Sequence, residues 1–172
     1  MASQRYFQNL KSSLEWRQDE IKLFGKNILQ PRLTALYGNS EKNYTYSGLT
    51  IKPLQWTEDL LKIKKAVEEM SDITFTSCLA NLYRHGQDSM GWHADDEKEL
   101  GENPEIASVS LGAERWFHLR HSSIPGLTEK ILLRNGSLLI MKGETQHYWK
   151  HQIPKTKKDI GERINLTFRK IA

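Results

Sequence analysis

The sequence predicts an α+β fold that is mainly β, with helices packed outside a β-sandwich or jelly roll. Two observations carry this prediction. Helical patterns occupy parts of the chain up to about residue 70, and short strand-like runs broken by turn signals fill the rest. Many short strands at such spacing are typical of sandwiches and jelly rolls. A length of 172 residues suits one domain with a core of its own.

Two segments of the N-terminal part carry helical patterns. Leu10, Leu14 and Ile21 recur at roughly helical spacing, with polar residues between them. A second helix is predicted from a cap at Thr57 to about Met70, since acidic residues occupy its first turn and lysines follow. Its apolar positions form one stripe, which we expect to be buried.

The chain beyond Ser71 is typical of a series of short strands. Turn signals stand at Pro125-Gly126 and Asn135-Gly136, and the second of these favours a β-hairpin. We expect strands near residues 73–83, 106–111, 115–120, 130–134, 137–142, 147–153 and 163–170.

Composition restricts the compartment and the partners. The 25 basic and 21 acidic side chains leave a net charge of +4, which permits a polyanionic partner without requiring one. A single cysteine, Cys78, excludes a disulfide framework and a cysteine-only zinc site. No stretch approaches the ~20 apolar residues of a membrane span, and the first residues lack the apolar core of a secretory signal. We therefore expect an intracellular protein without a membrane partner.

His93 and Asp95 are two metal-capable side chains at positions i and i+2. On an extended backbone both point to the same side and can reach one ion. A third imidazole from a distant strand would complete the set, and the candidates are His147 and His151. Two histidines and one carboxylate on one face of an octahedral ion leave positions open for a bidentate cosubstrate and oxygen, as in non-haem Fe(II) oxygenases. Taken alone, a His-x-Asp pair is more often a hydrogen-bonded surface pair.

The last expected strand alternates strictly between polar and apolar side chains. Arg163, Asn165, Thr167 and Arg169 fall on one face, and apolar residues fall on the other. Two arginines inside a small barrel need anions, because burying an unpaired charge is costly. A dicarboxylate cosubstrate would offer one carboxylate to each guanidinium.

Together these motifs resemble the AlkB family of Fe(II)/2-oxoglutarate-dependent dioxygenases. The resemblance rests on His93-x-Asp95, a distal histidine and the terminal run Arg163-Ile-Asn165-Leu-Thr-Phe-Arg169, and it covers roughly residues 20–172. The resemblance implies a double-stranded β-helix, or jelly-roll, core.

The resemblance also divides the chain by role. The family places its distal histidine 12 residues before the first arginine of the last strand, which selects His151 over His147. Residues 1–172 would form one domain, with nucleotide-recognition hairpins and a supporting helix at about 20–70 and the catalytic jelly roll at about 71–172.

The cofactors that the resemblance implies are Fe(II), the cosubstrate 2-oxoglutarate and O2. Asn81 and Tyr83 resemble the family's Asn-x-Tyr, whose side chains hydrogen-bond 2-oxoglutarate. Arg163 would pair with the distal carboxylate of the cosubstrate, and Arg169 would lie beside the carboxylate near the metal. The implied iron ligands, which are also the catalytic residues, are His93, Asp95 and His151; the implied cosubstrate contacts are Asn81, Tyr83, Arg163, Asn165 and Arg169.

Within the family, the chain is most similar to the double-strand-preferring DNA-repair demethylases. Phe24-Gly25-Lys26, followed by Pro31-Arg32, resembles a hairpin whose phenylalanine wedges into the duplex beside the extruded base. The run Tyr44-Thr45-Tyr46-Ser47-Gly48 resembles the strand whose aromatic residues line the base pocket. Tyr46 would stack the base against the ring of His93.

Two further stretches resemble substrate contacts of this subgroup. Asp96-Glu97 resembles an acidic pair that reads the exocyclic amine of the base, and Lys157-Lys158 matches part of an Arg-Lys-Lys loop that grips the opposite strand. Thr156 stands where that loop has its arginine. The substrate contacts that the resemblance implies are Phe24, Arg32, Tyr44, Tyr46, Ser47, Asp96, Glu97, Lys157 and Lys158.

The function that the resemblance implies is direct-reversal DNA repair. It would be oxidative demethylation of N-alkylated bases, 1-methyladenine and 3-methylcytosine, with release of formaldehyde, succinate and CO2. The expected partner is alkylated DNA, or RNA, acted on by a monomer in the cytoplasm, near the nucleoid in a bacterium or in the nucleus of a eukaryote. The sequence leaves open an RNA demethylase or a protein hydroxylase on the same barrel, and a non-catalytic nucleic-acid reader.

Overall fold

The computed structural model describes residues 1–39, 44–46 and 49–171, and for 44–46 and 49 it describes only the backbone. The helices are α1 (Ala2–Ser13), α2 (Glu58–Ser71) and the single turn α3 (Thr145–Tyr148), with a 3₁₀ turn at Lys98–Leu100. The strands are β1 (Glu20–Leu23), β2 (Lys26–Leu29), β3 (Leu33–Gly38), β4 (Tyr44–Tyr46), β5 (Leu49–Ile51), β6 (Ser77–Tyr83), β7 (Met90–His93), β8 (Ile106–Gly112), β9 (Arg115–His121), β10 (Thr128–Leu133), β11 (Leu138–Met141), β12 (Trp149–Ile153) and β13 (Arg163–Arg169).

Two antiparallel sheets form the body of the molecule. The larger sheet has the strand order β11-β8-β13-β6-β3, and the smaller sheet has the order β10-β9-β12-β7. Two separate hairpins, β1–β2 and β4–β5, precede α2 in the chain. The predicted mainly β fold with a jelly-roll core is confirmed.

The two longer helices contribute to the core of the larger sheet. Leu10 of α1 and Leu60 of α2 are fully buried in one apolar cluster with Leu82, Leu166 and other side chains of that sheet. A second cluster includes side chains of both sheets, among them Tyr83, Ile106, Phe117 and Ile153. Within the described ranges, none of the helices is long and apolar enough to cross a membrane.

The predicted second helix forms where its cap predicts. The hydroxyl of Thr57 accepts a hydrogen bond from the backbone N–H of Leu60 at 3.3 Å, and two acidic residues occupy the first turn. The helix ends at Ser71, because Asp72 takes a left-handed conformation with φ of 57°.

The predicted helical pattern through Ile21 is wrong. Helix α1 ends at Ser13, and Ile21 lies in strand β1. Arg17 and Thr34 exchange backbone hydrogen bonds of 2.9 and 2.8 Å, so the chain is already extended between the helix and Ile21. Tertiary pairing therefore overrides the helical spacing.

The turn at Asn135-Gly136 is present, but it does not close a hairpin. It joins β10 of the smaller sheet to β11 of the larger sheet, where Leu138 pairs with Val109. The turn at Pro125-Gly126 instead connects β9 and β10, which do pair. Turn residues set the local backbone angles but do not select the strand that the chain pairs with next.

Two of the predicted strand boundaries also differ. The run predicted at 147–153 begins with the end of α3, and strand β12 starts only at Trp149. The run predicted at 73–83 becomes a strand at Ser77.

Candidate active site

Adjacent strands of the smaller sheet bring a carboxylate and two imidazoles together. His93 ends strand β7, Asp95 follows two residues later, and His151 on β12 is the register partner of His93. The two imidazole centroids are 4.2 Å apart, and one potential ligand atom from each of the three residues lies within 4.8 Å of the others. His147, the other candidate from the sequence, is exposed on α3.

Both imidazoles are oriented by neighbours. The Nδ1 atom of His93 lies 2.8 Å from the carbonyl oxygen of Gly91, so a proton held there leaves Nε2 as the free acceptor. Nε2 of His93 is 3.7 Å from Oδ1 of Asp95. The ring of His151 stacks on Phe117 with centroids 5.1 Å apart. This arrangement leaves Nε2 of His93 as a free acceptor close to the carboxylate, and the stacking on Phe117 helps to orient the ring of His151.

The carboxylate of Asp95 is ionised inside the protein. Burial alone would raise its pKa, but the Arg169 guanidinium, aided by His93 and His151, holds the pKa below its ordinary value. Nη2 of Arg169 lies 3.0 Å from Oδ1 of Asp95, and both side chains are 3% exposed. Arg169 therefore stabilises the negative charge of this cluster.

The two imidazoles are neutral at physiological pH. Burial lowers the pKa of His151 to about 3, and burial also lowers the pKa of His93. Neutral imidazoles and an ionised carboxylate are the protonation states in which these groups bind a divalent metal.

A buried glutamine, Gln146, holds the backbone beside the carboxylate. Its Oε1 accepts a 2.9 Å hydrogen bond from the N–H of Asp95, and its Nε2 donates to the sulfur of Met141 at 3.5 Å. Gln146 is 2% exposed and lies on α3, which leads into β12. One side chain thus links the Asp95 segment to the strand of His151, and the sequence did not predict it.

We expect Gln146→Leu to loosen this site. The substitution leaves the buried N–H of Asp95 without its acceptor, which costs about 1 to 3 kcal/mol of unfolding free energy. Divalent-metal affinity should fall about 10- to 100-fold, as when a residue supporting a metal ligand is removed. Metal titration and thermal unfolding of metal-free protein measure the two effects. The control is Gln55→Leu, at an exposed glutamine; an unchanged metal affinity in Gln146→Leu would contradict the positioning role.

A cavity between the two sheets adjoins the cluster. Its lining includes His93, Asp95 and His151 together with four of the predicted cosubstrate contacts, which are Tyr83, Arg163, Asn165 and Arg169. The odd-numbered residues of β13 therefore face this cavity, while Ile164, Leu166 and Phe168 are buried in the helix-side core. Strict alternation along β13 thus separates a polar site from an apolar core.

Arg163 is a buried cation with unused donors. The residue is 1% exposed, and its Nη2 donates to the hydroxyl of Ser110 at 2.9 Å. Its guanidinium carbon lies 5.2 Å from the ring centroid of Tyr83. Among the described residues, Nε and Nη1 have no hydrogen-bond partner. Burial lowers the pKa of Arg163 to about 10, so this group would gain from an anion in the cavity.

Asn81 is hydrogen-bonded to Asn165, which lines the cavity, but is not itself among the lining residues. Its Nδ2 donates to Oδ1 of Asn165 at 3.3 Å, and its Oδ1 accepts from Nε of Arg32 at 3.1 Å. Asn165 in turn donates to Ser108 and accepts from Thr167. In this conformation both asparagine side chains bind protein groups, and they brace the polar face of β13.

Arg32 does not lie where a surface contact with nucleic acid would need it. Its side chain is 5% exposed, and Nη1 donates to the carbonyl of Ser89 at 3.2 Å. The reason is its position: it directly precedes β3, in which Thr34 pairs with Asn81 of β6. The guanidinium is consequently drawn into the hydrogen-bonded network behind the cavity.

Phe24 is displayed at the tip of a hairpin. Phe24 and Gly25 form the two-residue turn between β1 and β2, and the flanking Leu23 and Lys26 pair with each other. Both turn residues have positive φ, 48° and 77°, as this kind of tight hairpin requires. Phe24 is 97% exposed. An aromatic residue in this left-handed conformation carries a local conformational cost, and the exposed ring contributes nothing to a buried core.

The other predicted substrate contacts differ in how far the structure describes them. Asp96 is exposed and Glu97 is half-buried directly after Asp95, while Lys157 and Lys158 are exposed between β12 and β13. For Tyr44 and Tyr46 only the backbone, in β4, is described, and Ser47 lies outside the described residues.

Ser108 and Ser110 belong to the site, and the sequence did not predict them. Both lie on β8, where Ser110 accepts from Arg163 and Ser108 accepts from Asn165. Their pairing with Thr167 and Asn165 in the register places them on the polar side of the sheet. The alternation Ser-Val-Ser-Leu in β8 was the available signal, since it mirrors that of β13.

Comparison with known proteins agrees with this geometry. Residues 1–169 match the family model described as 2OG-Fe(II) oxygenase superfamily. The chain is 42% identical to the bovine protein named alpha-ketoglutarate-dependent dioxygenase alkB homolog 3, covering 96% of this chain and 60% of that protein. It is 39% identical to the human protein named DNA oxidative demethylase ALKBH2, covering 96% of this chain and 67% of that protein. The chain thus spans 60% and 67% of the length of these two curated relatives.

A solved structure is also similar. The structure of OsALKBH1 superposes with a TM-score of 0.64 at 18% sequence identity, covering 98% of this chain and 89% of that chain. At this identity the likeness shows the fold alone.

Proposed function

Because the chain belongs to the AlkB family within the 2OG-Fe(II) oxygenase superfamily, we propose that it oxidatively demethylates N-alkylated bases in DNA. The substrates would be 1-methyladenine and 3-methylcytosine, and the reaction would consume 2-oxoglutarate and O2 and release formaldehyde, succinate and CO2. The observation that carries the proposal is the cluster of His93, Asp95 and His151 beside a cavity lined by two buried arginines. A relative named as a DNA oxidative demethylase supports the choice of substrate.

The three clustered side chains fit Fe(II). Two neutral imidazoles and one carboxylate are the donor set of non-haem iron oxygenases, and they leave coordination positions free for a chelating cosubstrate and oxygen. The Gly91 carbonyl at His93 and the Gln146 amide at Asp95 hold these donors in place. Iron with 2-oxoglutarate and O2 would supply the oxidation of the N-methyl group.

The charged lining of the cavity suits the two carboxylates of 2-oxoglutarate. The unused donors of Arg163 would bind the distal carboxylate, with Tyr83 beside them. Arg169 would lie near the metal-proximal carboxylate while keeping Asp95 ionised. Ser110 orients the Arg163 guanidinium from behind. Each carboxylate of a dicarboxylate would thus meet one guanidinium.

The N-terminal hairpins would present the damaged base. A methylated base inside a duplex is hidden, so the enzyme has to extrude it before the methyl group can reach the metal cavity. Phe24 at the exposed hairpin tip would fill the gap that the extruded base leaves. Asp96 and Glu97 would accept from the exocyclic amine, and Lys157 and Lys158 would contact phosphates. We propose that residues 20–70 recognise the nucleotide and residues 71–172 catalyse within one domain.

The test of this proposal is product analysis with defined oligonucleotides. The protein is incubated with Fe(II), 2-oxoglutarate and a strand carrying 1-methyladenine, as single-stranded DNA, duplex DNA or RNA. With methylated DNA we expect formaldehyde and succinate in equal amounts. With an unmethylated strand we expect no formaldehyde. Faster release of formaldehyde from RNA than from DNA would identify RNA as the preferred substrate. Succinate formation with no formaldehyde from all of the methylated strands would contradict base demethylation.

Phe24→Ala should separate duplex from single-strand activity. Removing the wedge makes extrusion of a base from a duplex more costly, so we expect demethylation of duplex DNA to fall about tenfold or more. Single-stranded DNA needs no wedge and should retain most of its rate. Because the side chain is 97% exposed, stability should change by less than about 0.5 kcal/mol.

The comparison needs a matched hairpin control. Leu29→Ala removes another exposed apolar side chain from the same hairpin, away from its tip. Equal losses on duplex and single strand in Phe24→Ala, or an equal duplex loss in Leu29→Ala, would refute the wedge role.

A further inference from the structure

A groove on the smaller sheet shares only Lys158 with the residues assigned to the substrate above. It has a volume of about 650 Å³ and runs between strands β9 and β10 and the segment after β12. Trp116 and Leu132, which are register partners, line it from the sheet. Pro154, Lys155, Lys158 and Ile160 are among the residues that line it from the following segment; we call this the Trp116 groove.

The Trp116 groove and the metal cavity lie on opposite faces of one sheet. Phe117 lines the metal cavity, where it stacks on His151 and is 6% exposed. Trp116, its neighbour on β9, points to the other face and is 48% exposed. A base that reaches the metal therefore cannot occupy this groove at the same time, and any nucleic acid there has to be another part of the substrate.

The groove combines an aromatic face with positive charge. The exposed indole of Trp116 is bordered by Leu132, Pro154 and Ile160, a lining that suits a flat aromatic ring. Lys155 and Lys158 are exposed at its edge and free to contact phosphates. Aromatic side chains beside lysines are the usual platform for nucleic-acid bases that are not paired.

Two other charged residues line the groove, and neither cancels its positive charge. Glu114 is the acidic residue in the described lining, and its carboxylate lies 3.9 Å from Nη1 of Arg134. Arg115 also lines the groove, but its Nη2 donates to the carbonyls of Asp88 and Pro154. Arg115 thus anchors Pro154 in the groove wall, and the net charge of the surface stays positive.

We propose that the Trp116 groove binds an unpaired nucleotide of the substrate strand that flanks the damaged base. Its base would stack on Trp116, and its phosphates would lie beside Lys155 and Lys158. The inference rests on the proposed function in that the substrate is a nucleic acid. It adds a second contact region, on the outer face of the sheet, that would favour single strands and overhangs.

The experiment measures binding rather than turnover. Fluorescence anisotropy of a labelled, unmethylated single-stranded DNA gives the affinity of the full chain for wild type, Trp116→Ala and Trp116→Phe. We expect Trp116→Ala to weaken binding about tenfold, the size of one lost base stack, and Trp116→Phe to retain most of the affinity. Leu61→Ala, which removes a 47% exposed side chain on α2, is the matched control.

A salt titration tests the phosphate contact independently. Lys155→Ala, at the groove lysine that has no other assigned role, should lower the slope of log affinity against log salt by about 0.7 for one lost phosphate contact. Lys65→Ala on α2, which removes an exposed lysine outside the groove, should leave the slope unchanged.

The outcomes separate this inference from the proposed function. Affinity of Trp116→Ala within about twofold of wild type would overturn the stacking site even if the wild type demethylates DNA. An unchanged salt slope in Lys155→Ala would likewise overturn the phosphate contact. The expected losses of binding, in a wild type that demethylates nothing, would support the groove and refute the proposed reaction.

Discussion

His151→Ala is expected to weaken Fe(II) binding by at least about hundredfold and to abolish demethylation, because one of three ligands is lost. His151 on β12 is the register partner of His93 on β7, and the centroids of the two imidazole rings are 4.2 Å apart. The measurement is an anaerobic titration with Fe(II), or with Co(II) as a spectroscopic substitute, followed by formaldehyde assay.

The control for this prediction is His147→Ala. His147 is the exposed histidine four residues earlier, and it stands outside the cluster. The His147→Ala variant should bind metal and demethylate the substrate like the wild type. Thermal unfolding of both metal-free variants separates lost ligation from lost packing against Phe117. Full metal affinity in a folded His151→Ala protein would refute the assignment of the ligand.

Arg163→Met is expected to raise the KM for 2-oxoglutarate about 10- to 100-fold, since a hydrogen bond to a charged group contributes about 1.5 to 3 kcal/mol. The guanidinium is fully buried in the cavity, and two of its nitrogens have no partner among the described residues. Steady-state kinetics at varied 2-oxoglutarate measure the effect. Arg163→Lys should recover only part of the affinity, because a lysine keeps the charge but not the planar fork.

A shortened cosubstrate gives the matched comparison. A 2-oxo acid without the distal carboxylate should be used about equally poorly by wild type and Arg163→Met, because the interaction is absent in both. Arg134→Met, at an exposed arginine, should leave the KM unchanged. An unaltered KM in Arg163→Met would place the distal carboxylate elsewhere in the cavity.

The parts of the fold that local chemistry determines could be predicted from the sequence. The cap at Thr57 predicts the start of α2, and alternation along β13 predicts which side chains share a face. Burial of both faces of β13 is a tertiary result, because it follows from the central position of that strand between β8 and β6. Arg163 and Arg169 therefore line an interior cavity, and the alternation alone could not predict this burial.

The parts that depend on long-range register were missed. Gln146 reaches Asp95 across 51 positions of sequence, and Ser110 reaches Arg163 across 53. Nothing local to Gln146 indicates that its amide will accept from the Asp95 backbone. Arg32 was misplaced for the same reason. The residues around it resemble a surface hairpin, but Arg32 directly precedes β3, and the pairing of β3 with β6 brings its side chain inside the protein to Asn81.

The measurement that tests the central claim most directly is mass spectrometry of a DNA strand carrying one 1-methyladenine. The strand is incubated with the protein, Fe(II), 2-oxoglutarate and air, in parallel with His151→Ala. The proposed function predicts that wild type alone converts the methylated base to adenine. A strand that keeps its methyl group while wild type consumes 2-oxoglutarate to succinate would contradict DNA demethylation, and equal conversion by His151→Ala would contradict the metal site.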